Sequence, residues 1–244
     1  MKFLSDLFNK KGADGLPENF SGLYKETEIS ESRGQFDLYY GFRCLEKLYK
    51  LGIDAIKQNN LGFDIDKFIL RMKNLAEVYE TGEYWYDAKD GYRHPEKVCE
   101  KDLHKAYACY MLGAEAASMA TNDFKKEYAM SSIDAQVSVI KMFLKSGIGM
   151  AEGYLHSPDP NVSDRKYAAS QLVMAVMLSY MRFGGQCYDS NYSNYASQAL
   201  EALISLRDML LKDQPLSWYA DKVVESGLLK EETSAVIAEI RQLG

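Results

Sequence analysis

Apolar side chains recur every three or four positions through most of this chain, which is the pattern of helices with one buried face. The spacing predicts a first helix over residues 36–57 and a second one that begins after Asp64, a good N-cap residue. Gly82 is expected to end the second helix, because glycine accepts the left-handed conformation that often follows a helix. No segment shows the alternation of a half-buried strand, so the pattern predicts an all-α fold without a sheet.

The second half of the chain continues the helical pattern. One helix is predicted to begin after Asp102, and the next is opened by Asn122 or Asp123 and continues to residue 146. Ser163 or Asp164 is expected to cap a helix that ends at residue 183, and further helices are predicted over residues 191–211, 215–226 and 230–243. The helix that ends at residue 146 has apolar stripes on two sides, which is typical of an interior helix between two neighbours. Gly147 and Gly149 are expected to break it. The last two helices are expected to form a C-terminal capping pair, since the final helix is polar on most of its surface.

The N-terminal 33 residues differ from the rest of the chain. Residues 1–11 place Phe3, Leu4, Leu7 and Phe8 on one side of a short amphipathic helix, and residues 12–33 are rich in Gly, Glu and Ser. The composition of residues 12–33 predicts a flexible tether. The amphipathic helix is expected either to contact a partner or a membrane surface, or to pack on its own domain. Residues 34–244 are predicted to form a single all-helical domain.

Charge and cysteine usage exclude several classes of function. A net charge of −6 and a pI of 5.3 give no field that would attract a phosphate backbone, so we expect no nucleic-acid partner. Cys44, Cys99, Cys109 and Cys187 form no C-x-x-C pair, which favours free thiols in a reducing cytoplasm. The apolar run 172–181 is too short for a membrane span. Together with the start Met-Lys-Phe-Leu and no secretory signal, these features indicate a cytoplasmic protein of bacterial type.

No catalytic, cofactor or metal motif emerges from the sequence. The glycines form neither G-x-x-x-x-G-K nor G-x-G-x-x-G, and no G-x-S-x-G elbow is present. Glu100 with His104 and Glu152 with His156 are four residues apart, whereas the di-iron motif needs a spacing of three. The loop 157–163 lacks the glycine and the final glutamate of a calcium-binding loop. We therefore predict no cofactor, no metal and no catalytic residue.

Residues 83–101 form a long segment that is dense in aromatic side chains and in charges of both signs. Six of its residues belong to types that are common at binding hot spots, and they are the candidate partner-binding residues: Tyr84, Trp85, Tyr86, Tyr92, Arg93 and His94. A connection of this length is usually functional or disordered, and three aromatic residues in a row argue against disorder. Two interpretations stay open: the segment contacts a partner, or it folds back and its rings cover the end of a helix pair.

The helices on either side of this segment carry a recognisable spacing. Its residues are Ala76, Tyr79, Gly82, Asp102, Lys105, Ala106, Tyr110, Ala114 and Glu115. This spacing resembles the Sel-one-like repeat, a branch of the tetratricopeptide-type helical hairpins, with fainter echoes in residues 153–168 and 180–199. The resemblance implies antiparallel helix hairpins stacked as a short repeat array and a role in protein–protein contacts, without catalytic residues. The family's connector is short, whereas residues 83–101 lengthen it here.

The sequence thus favours a non-enzymatic protein–protein interaction module, which would be an adaptor, regulator or inhibitor whose partner is another protein or a peptide. The alternative is an all-helical enzyme or small-ligand-binding protein with a site assembled from sequence-distant residues. The residues considered for such a site are His94, His104, Glu115 and Arg182. A third hypothesis is a membrane-peripheral protein that makes weak contact through residues 1–11. The oligomeric state does not follow from the pattern.

Overall fold

The computed structural model describes residues 12–33, 38–60, 62–87, 91–123, 133–155, 162–189 and 192–210. Its helices are α1 (Phe20–Arg33), α2 (Leu38–Lys57), α3 (Ile65–Thr81), α4 (Leu103–Asp123), α5 (Ile133–Leu155), α6 (Val162–Phe183) and α7 (Tyr195–Leu210). Between α3 and α4 lie two short strands, β1 (Glu83–Asp87) and β2 (Arg93–Lys97). The prediction of a mainly helical protein is confirmed. The stacking of its helices as a repeat array stays a prediction.

The chain divides into two compact units, Met1–Ala116 and Ala117–Gly244. The core of the first unit contains large side chains with no or almost no solvent exposure, among them Leu23, Leu45, Leu48, Phe68, Ile69, Met72, Leu75 and Tyr110. In the second unit, α6 packs against α5 and α7. The buried residues of this unit include Ile140, Met142, Phe143, Leu172, Val173, Val176, Met177 and Leu203. None of the helices described is long and apolar enough to cross a membrane.

Helix α3 begins and ends where its sequence predicts. The Asp64 side chain accepts a hydrogen bond from the backbone N–H of Lys67 (3.1 Å), which satisfies a donor that the first turn leaves unpaired. Gly82 lies in the left-handed region with φ = 81°, and its N–H donates to the carbonyl of Val78 at 2.7 Å. The apolar stripe between these two residues is buried, as predicted.

Residues 20–33, which were expected to belong to a tether, instead form helix α1. Leu23 and Tyr24 are buried, and the Phe20 ring stacks on Phe63 with centroids 4.3 Å apart. The composition predicted a tether because this segment has few apolar residues. In the structure, α1 packs with those few and also buries the small polar side chains Thr27 and Ser30. Such residues are typical of loops when they have no partners, but here their hydroxyls bond to backbone carbonyls one turn earlier.

Two other predicted helix boundaries were wrong. Helix α5 continues through Gly147 and Gly149 to Leu155, where a break was expected. A Cβ at Gly147 would lie 2.6 Å from Leu172 Cγ and 3.1 Å from the carbonyl oxygen of Ala168, so this glycine permits the close approach of α6. Asp123, expected to start a helix, is the last residue of α4. The alanine-rich sequence that precedes it favours continuation of the helix.

The end of α6 was predicted correctly. Gly184 and Gly185 follow it with φ = 56° and 78°, and their N–H groups bond to the carbonyls of Tyr180 and Ser179. The predicted helix over residues 191–211 corresponds to α7. The amphipathic segment 1–11 and the capping helices 215–226 and 230–243 lie outside the described residues.

Candidate interaction hairpin

The aromatic segment between α3 and α4 is a β-hairpin, which corrects the prediction that the protein has no sheet. Strand β1 pairs antiparallel with β2 in a register that opposes Glu83 to Lys97 and Asp87 to Arg93. Each strand has only five residues, too few to give a clear alternating pattern. The β-propensity of Tyr84, Trp85 and Tyr86 was the available signal, and it was outweighed by the charged residues and the proline of β2.

The hydrogen-bond pattern shows how the hairpin accommodates Pro95. The N–H of Val98 donates to the carbonyl of Gly82 at 3.0 Å, so Gly82 and Val98 form a hydrogen-bonded pair. Non-hydrogen-bonded and hydrogen-bonded pairs then alternate along the two antiparallel strands. Trp85 and Pro95 oppose each other at a non-bonded position, where the proline nitrogen faces away from β1. Pro95 therefore removes no hydrogen bond between β1 and β2. On the edge of β2 that faces away from β1, the middle residue has no N–H to donate. This edge is poorly suited to the addition of a further strand.

Tyr84 is the inward anchor of the hairpin. Its side chain is only 3% exposed, and its hydroxyl donates to Glu31 Oε1 on α1 at 3.2 Å. Burial and the neighbouring Glu31 carboxylate raise the pKa of this hydroxyl, so it stays protonated and available as a donor. A Cβ at Gly41 would lie 3.0 Å from Tyr84 Cε1, which shows how closely the ring lies against α2.

Three of the six predicted contact residues are exposed on the hairpin. Trp85 is 42% exposed, Tyr92 72%, and the Arg93 side chain 65%. Side chains alternate between the two faces of a strand, so Trp85 and Arg93 share one face while Tyr84 lies on the other. Arg93 Nε lies 3.5 Å from Asp87 Oδ1, an exposed ion pair of little strength. This face therefore exposes an indole and a guanidinium to solvent.

Tyr86 and His94 form a cross-strand pair on the face that carries Tyr84. Both are half-buried, and their ring centroids are 6.2 Å apart. The structure thus separates the six predicted residues into a buried anchor (Tyr84), a half-buried pair (Tyr86 and His94) and an exposed set (Trp85, Tyr92 and Arg93). The packing interpretation is confirmed for Tyr84, Tyr86 and His94, whereas contact of Trp85, Tyr92 and Arg93 with a partner stays a prediction. The inner face packs on the helices, and the outer face is open.

A small cleft of about 90 Å³ lies between the hairpin and the helices α1 and α3. Its lining comes from both faces of β1, with Tyr84 and Trp85, and from Arg93, Glu31 of α1 and Asn74 of α3. Its volume is well below the 300–1,000 Å³ of usual ligand pockets, so it has room for no more than a single side chain.

Two residues that sequence reasoning missed hold the hairpin in place. Glu31 on α1 accepts a hydrogen bond from Tyr84 and forms an ion pair with Arg71 Nη1 on α3 at 2.6 Å. Both lie far from the hairpin in sequence, and Glu31 falls in the segment assigned to a tether. No local pattern links a glutamate at position 31 to a tyrosine at position 84, so only the folded chain reveals this pair.

The residues considered for an enzyme site are not drawn into a buried cluster. His104 and Glu115 are exposed on α4, Arg182 is exposed on α6, and His94 is half-buried on β2. Within the described ranges, no group of three His, Cys, Asp or Glu residues is placed to hold a metal ion.

A larger cleft of about 670 Å³ opens where α1 and α3 begin. The stacked rings of Phe20 and Phe63 form part of its wall, with Lys25, Glu28 and Lys67 around them. Lys67 and Glu28 form an ion pair across it at 3.3 Å. The cleft has the size of a ligand pocket.

Comparison of the chain with protein-family models, with curated proteins and with solved structures gave no match. The resemblance to the Sel-one-like repeat therefore stays a prediction from the residues that carry it.

Proposed function

We propose that this chain is a non-enzymatic interaction module that binds another protein or a peptide through the outer face of the β1–β2 hairpin. The observation that carries the proposal is the division of the hairpin into two faces. Tyr84 is buried and bonded to α1, whereas Trp85, Tyr92 and Arg93 are exposed. Tryptophan, tyrosine and arginine are the residues that most often dominate binding energies at protein interfaces.

An anchored hairpin is well suited to this role. A contact surface that is already ordered loses less conformational entropy on binding than a loop that must become ordered. The buried Tyr84 and the ladder between β1 and β2 restrict the backbone from which Trp85 and Arg93 project. Arg93 is also available to a partner, since its ion pair with Asp87 is exposed and weak.

We further propose that α3 and α4 form one hairpin of a Sel-one-like helical array, with β1 and β2 inserted in its connector. The N–H of Asp102 donates to the carbonyl of Tyr79 at 2.8 Å, which joins the end of α3 to the start of α4. Lys105 Nζ lies 5.2 Å from the centre of the Tyr79 ring, and Tyr110 is fully buried. These contacts involve residues of the spacing that suggested the family. We also propose a cytoplasmic location, because a reducing compartment suits the free thiols of the four cysteines.

The test is capture of a partner from host extract, followed by measurement of its Kd with purified proteins. The hairpin variant carries Trp85→Ser, Tyr92→Ser and Arg93→Ser, and a second variant replaces residues 83–101 with a short Gly-Ser linker. The matched control carries Tyr188→Ser and Tyr192→Ser, which removes two exposed tyrosines of the α6–α7 loop. We expect the Kd to rise at least about 100-fold in the hairpin variant, since two hot-spot side chains each contribute about 2 kcal/mol or more. The control should bind like the native chain.

Two results would contradict the proposal. One is that no protein is retained specifically by the native chain. The other is that the hairpin variant and the native chain bind the captured protein with the same Kd.

A further inference from the structure

We infer that Glu31 is the positioning residue of the hairpin: its carboxylate fixes the orientation in which β1 and β2 present Trp85 and Arg93. The inference deepens the proposed function and rests on it, because the orientation has a role only if Trp85 and Arg93 contact a partner. The bonding geometry that supports it does not depend on any partner.

Three donors from two elements converge on a single oxygen of this carboxylate. Glu31 Oε1 accepts from Arg71 Nη1 at 2.6 Å, from Asn74 Nδ2 at 3.2 Å and from the Tyr84 hydroxyl at 3.2 Å. Arg71 and Asn74 belong to α3, and Tyr84 belongs to β1. Glu31 itself lies near the end of α1, so one side chain joins two helices and the hairpin.

The Glu31 carboxylate is sufficiently buried for these hydrogen bonds to be strong. The Glu31 side chain is 23% exposed and that of Arg71 only 11%. Charge-assisted hydrogen bonds are stronger than neutral ones, and screening by water weakens them less when the groups are partly buried. The guanidinium of Arg71, 2.6 Å from Glu31 Oε1, compensates the negative charge of this carboxylate.

Tyr84 has little freedom to find another acceptor. Its ring lies against Gly41 of α2, and its hydroxyl is buried with the rest of the side chain. A buried hydroxyl without an acceptor is unfavourable, so loss of the Glu31 oxygen would favour outward movement of the ring. Tyr84 is paired with Glu96 across the ladder, and any movement of its backbone is therefore transmitted to β2.

Glu28, one turn earlier on α1, provides the matched control. It forms ion pairs with Lys67 at 3.3 Å and with Arg71 at 3.7 Å, and it is about half exposed. Glu28→Gln thus weakens the electrostatic contact between α1 and α3 without removing a bond to the hairpin. Glu31→Gln weakens that contact and also the bond to Tyr84.

The experiment measures amide hydrogen exchange along the full chain for the native protein and for the variants Glu31→Gln, Tyr84→Phe, Glu28→Gln and the double variant Glu31→Gln/Tyr84→Phe. We expect exchange in β1 and β2 to be at least about ten times faster in Glu31→Gln and in Tyr84→Phe, with smaller changes in α2 and α3. In β1 and β2 the double variant should exchange at the rate of Tyr84→Phe, because Glu31 acts on the hairpin through its hydrogen bond to Tyr84. Glu28→Gln should leave the hairpin within about two-fold of the native rate.

A uniform increase over the whole unit would show that Glu31 only contributes to global stability, and it would overturn the inference. Hairpin exchange that is unchanged in Glu31→Gln would overturn it as well. The exchange measurement needs no partner, so its failure would leave the capture experiment valid. Conversely, failure to capture a partner would leave the positioning role of Glu31 intact.

Discussion

Single glycines set how closely the helices of the first unit approach one another. A Cβ at Gly52 in α2 would lie 2.3 Å from Phe68 Cζ, and one at Gly41 would lie 2.7 Å from Ser30 Cβ. Phe68 is fully buried, so its ring has no free space into which to move. From the sequence, Gly52 could be placed on the buried stripe of its helix, but the neighbour that requires a glycine there could not be named.

Gly52→Ala is expected to lower the free energy of unfolding by roughly 1–3 kcal/mol, the usual cost of overpacking a core. The sign is informative, because alanine in an unhindered helix interior would raise stability by about 1 kcal/mol. Urea denaturation followed by circular dichroism measures the difference. Asp54→Ala, at an exposed position of the same helix, is the control and should change stability by less than about 0.5 kcal/mol. A Gly52→Ala protein as stable as the native one would contradict the packing described.

The six candidate residues of the hairpin differ in burial, although they lie in one short segment. All six were predicted to be contact residues, because each belongs to a residue type that is common at binding hot spots. In a strand, neighbours point to opposite faces, so Tyr84 became an anchor while Trp85 became exposed. Recognising the strand would have placed Tyr84 and Trp85 on opposite faces, but only the contacts with α1 and α2 decide which face is buried.

At the scale of whole elements, tertiary contacts decide whether a segment is helical, and the hydrophobic pattern does not show these contacts. Two glycines close together within α5 suggested a break, yet the helix continues because α6 packs over Gly147. The gain from close packing there outweighs the weak intrinsic preference of glycine against a helix. Helix α1 gives the converse case, since a polar segment became helical through its contacts with α2 and α3.

Gly147→Ala should therefore destabilise the second unit, although alanine is the better helix former. The added methyl would lie 2.8 Å from Leu172 Cδ2 and 3.1 Å from a backbone carbonyl oxygen, and the backbone cannot move aside alone. We expect a loss of about 1–3 kcal/mol. Hydrogen exchange should show faster exchange in α5 and α6, with α2 and α3 unaffected. Increased stability would mean that α5 and α6 do not approach each other in this way.

For the molecule as a whole, buried phenols and thiols restrict the pH range of stability. Burial raises the pKa of Tyr24 and Tyr84, and the charges of Asp64 and Glu31, respectively, raise them further. Burial also raises the pKa of the Cys109 thiol, and that of Cys187 to about 11. All of these groups are neutral in the folded state at a pH where the unfolded chain would already lose their protons.

Stability should consequently decline in alkali. A tyrosine titrates near pH 10 when exposed, so the contribution of Tyr24 and Tyr84 is complete below that value and is lost as the pH rises toward their folded pKa. Above pH 10 we expect the free energy of unfolding to fall by roughly 3 kcal/mol per pH unit for the two together. Urea denaturation at a series of pH values measures this slope.

The double variant Tyr24→Phe/Tyr84→Phe should flatten the decline. Phenolate absorbance should show that the native chain releases these two protons only as it unfolds. A slope that is the same with and without the two hydroxyls would show that other groups control the alkaline limit.

The sequence by itself determined the helical class, both ends of α3 with its buried stripe, and the C-terminal end of α6. These features depend on local periodicity, caps and glycine conformation, which are encoded within a few residues. The tertiary structure alone decided the helical state of α1, the continuity of α5 and the two faces of the hairpin. Each of these rests on a contact between residues far apart in sequence, such as Glu31 with Tyr84 or Gly147 with Leu172. Such contacts form only when the chain is folded, and their energies exceed the local preferences that the sequence pattern reports.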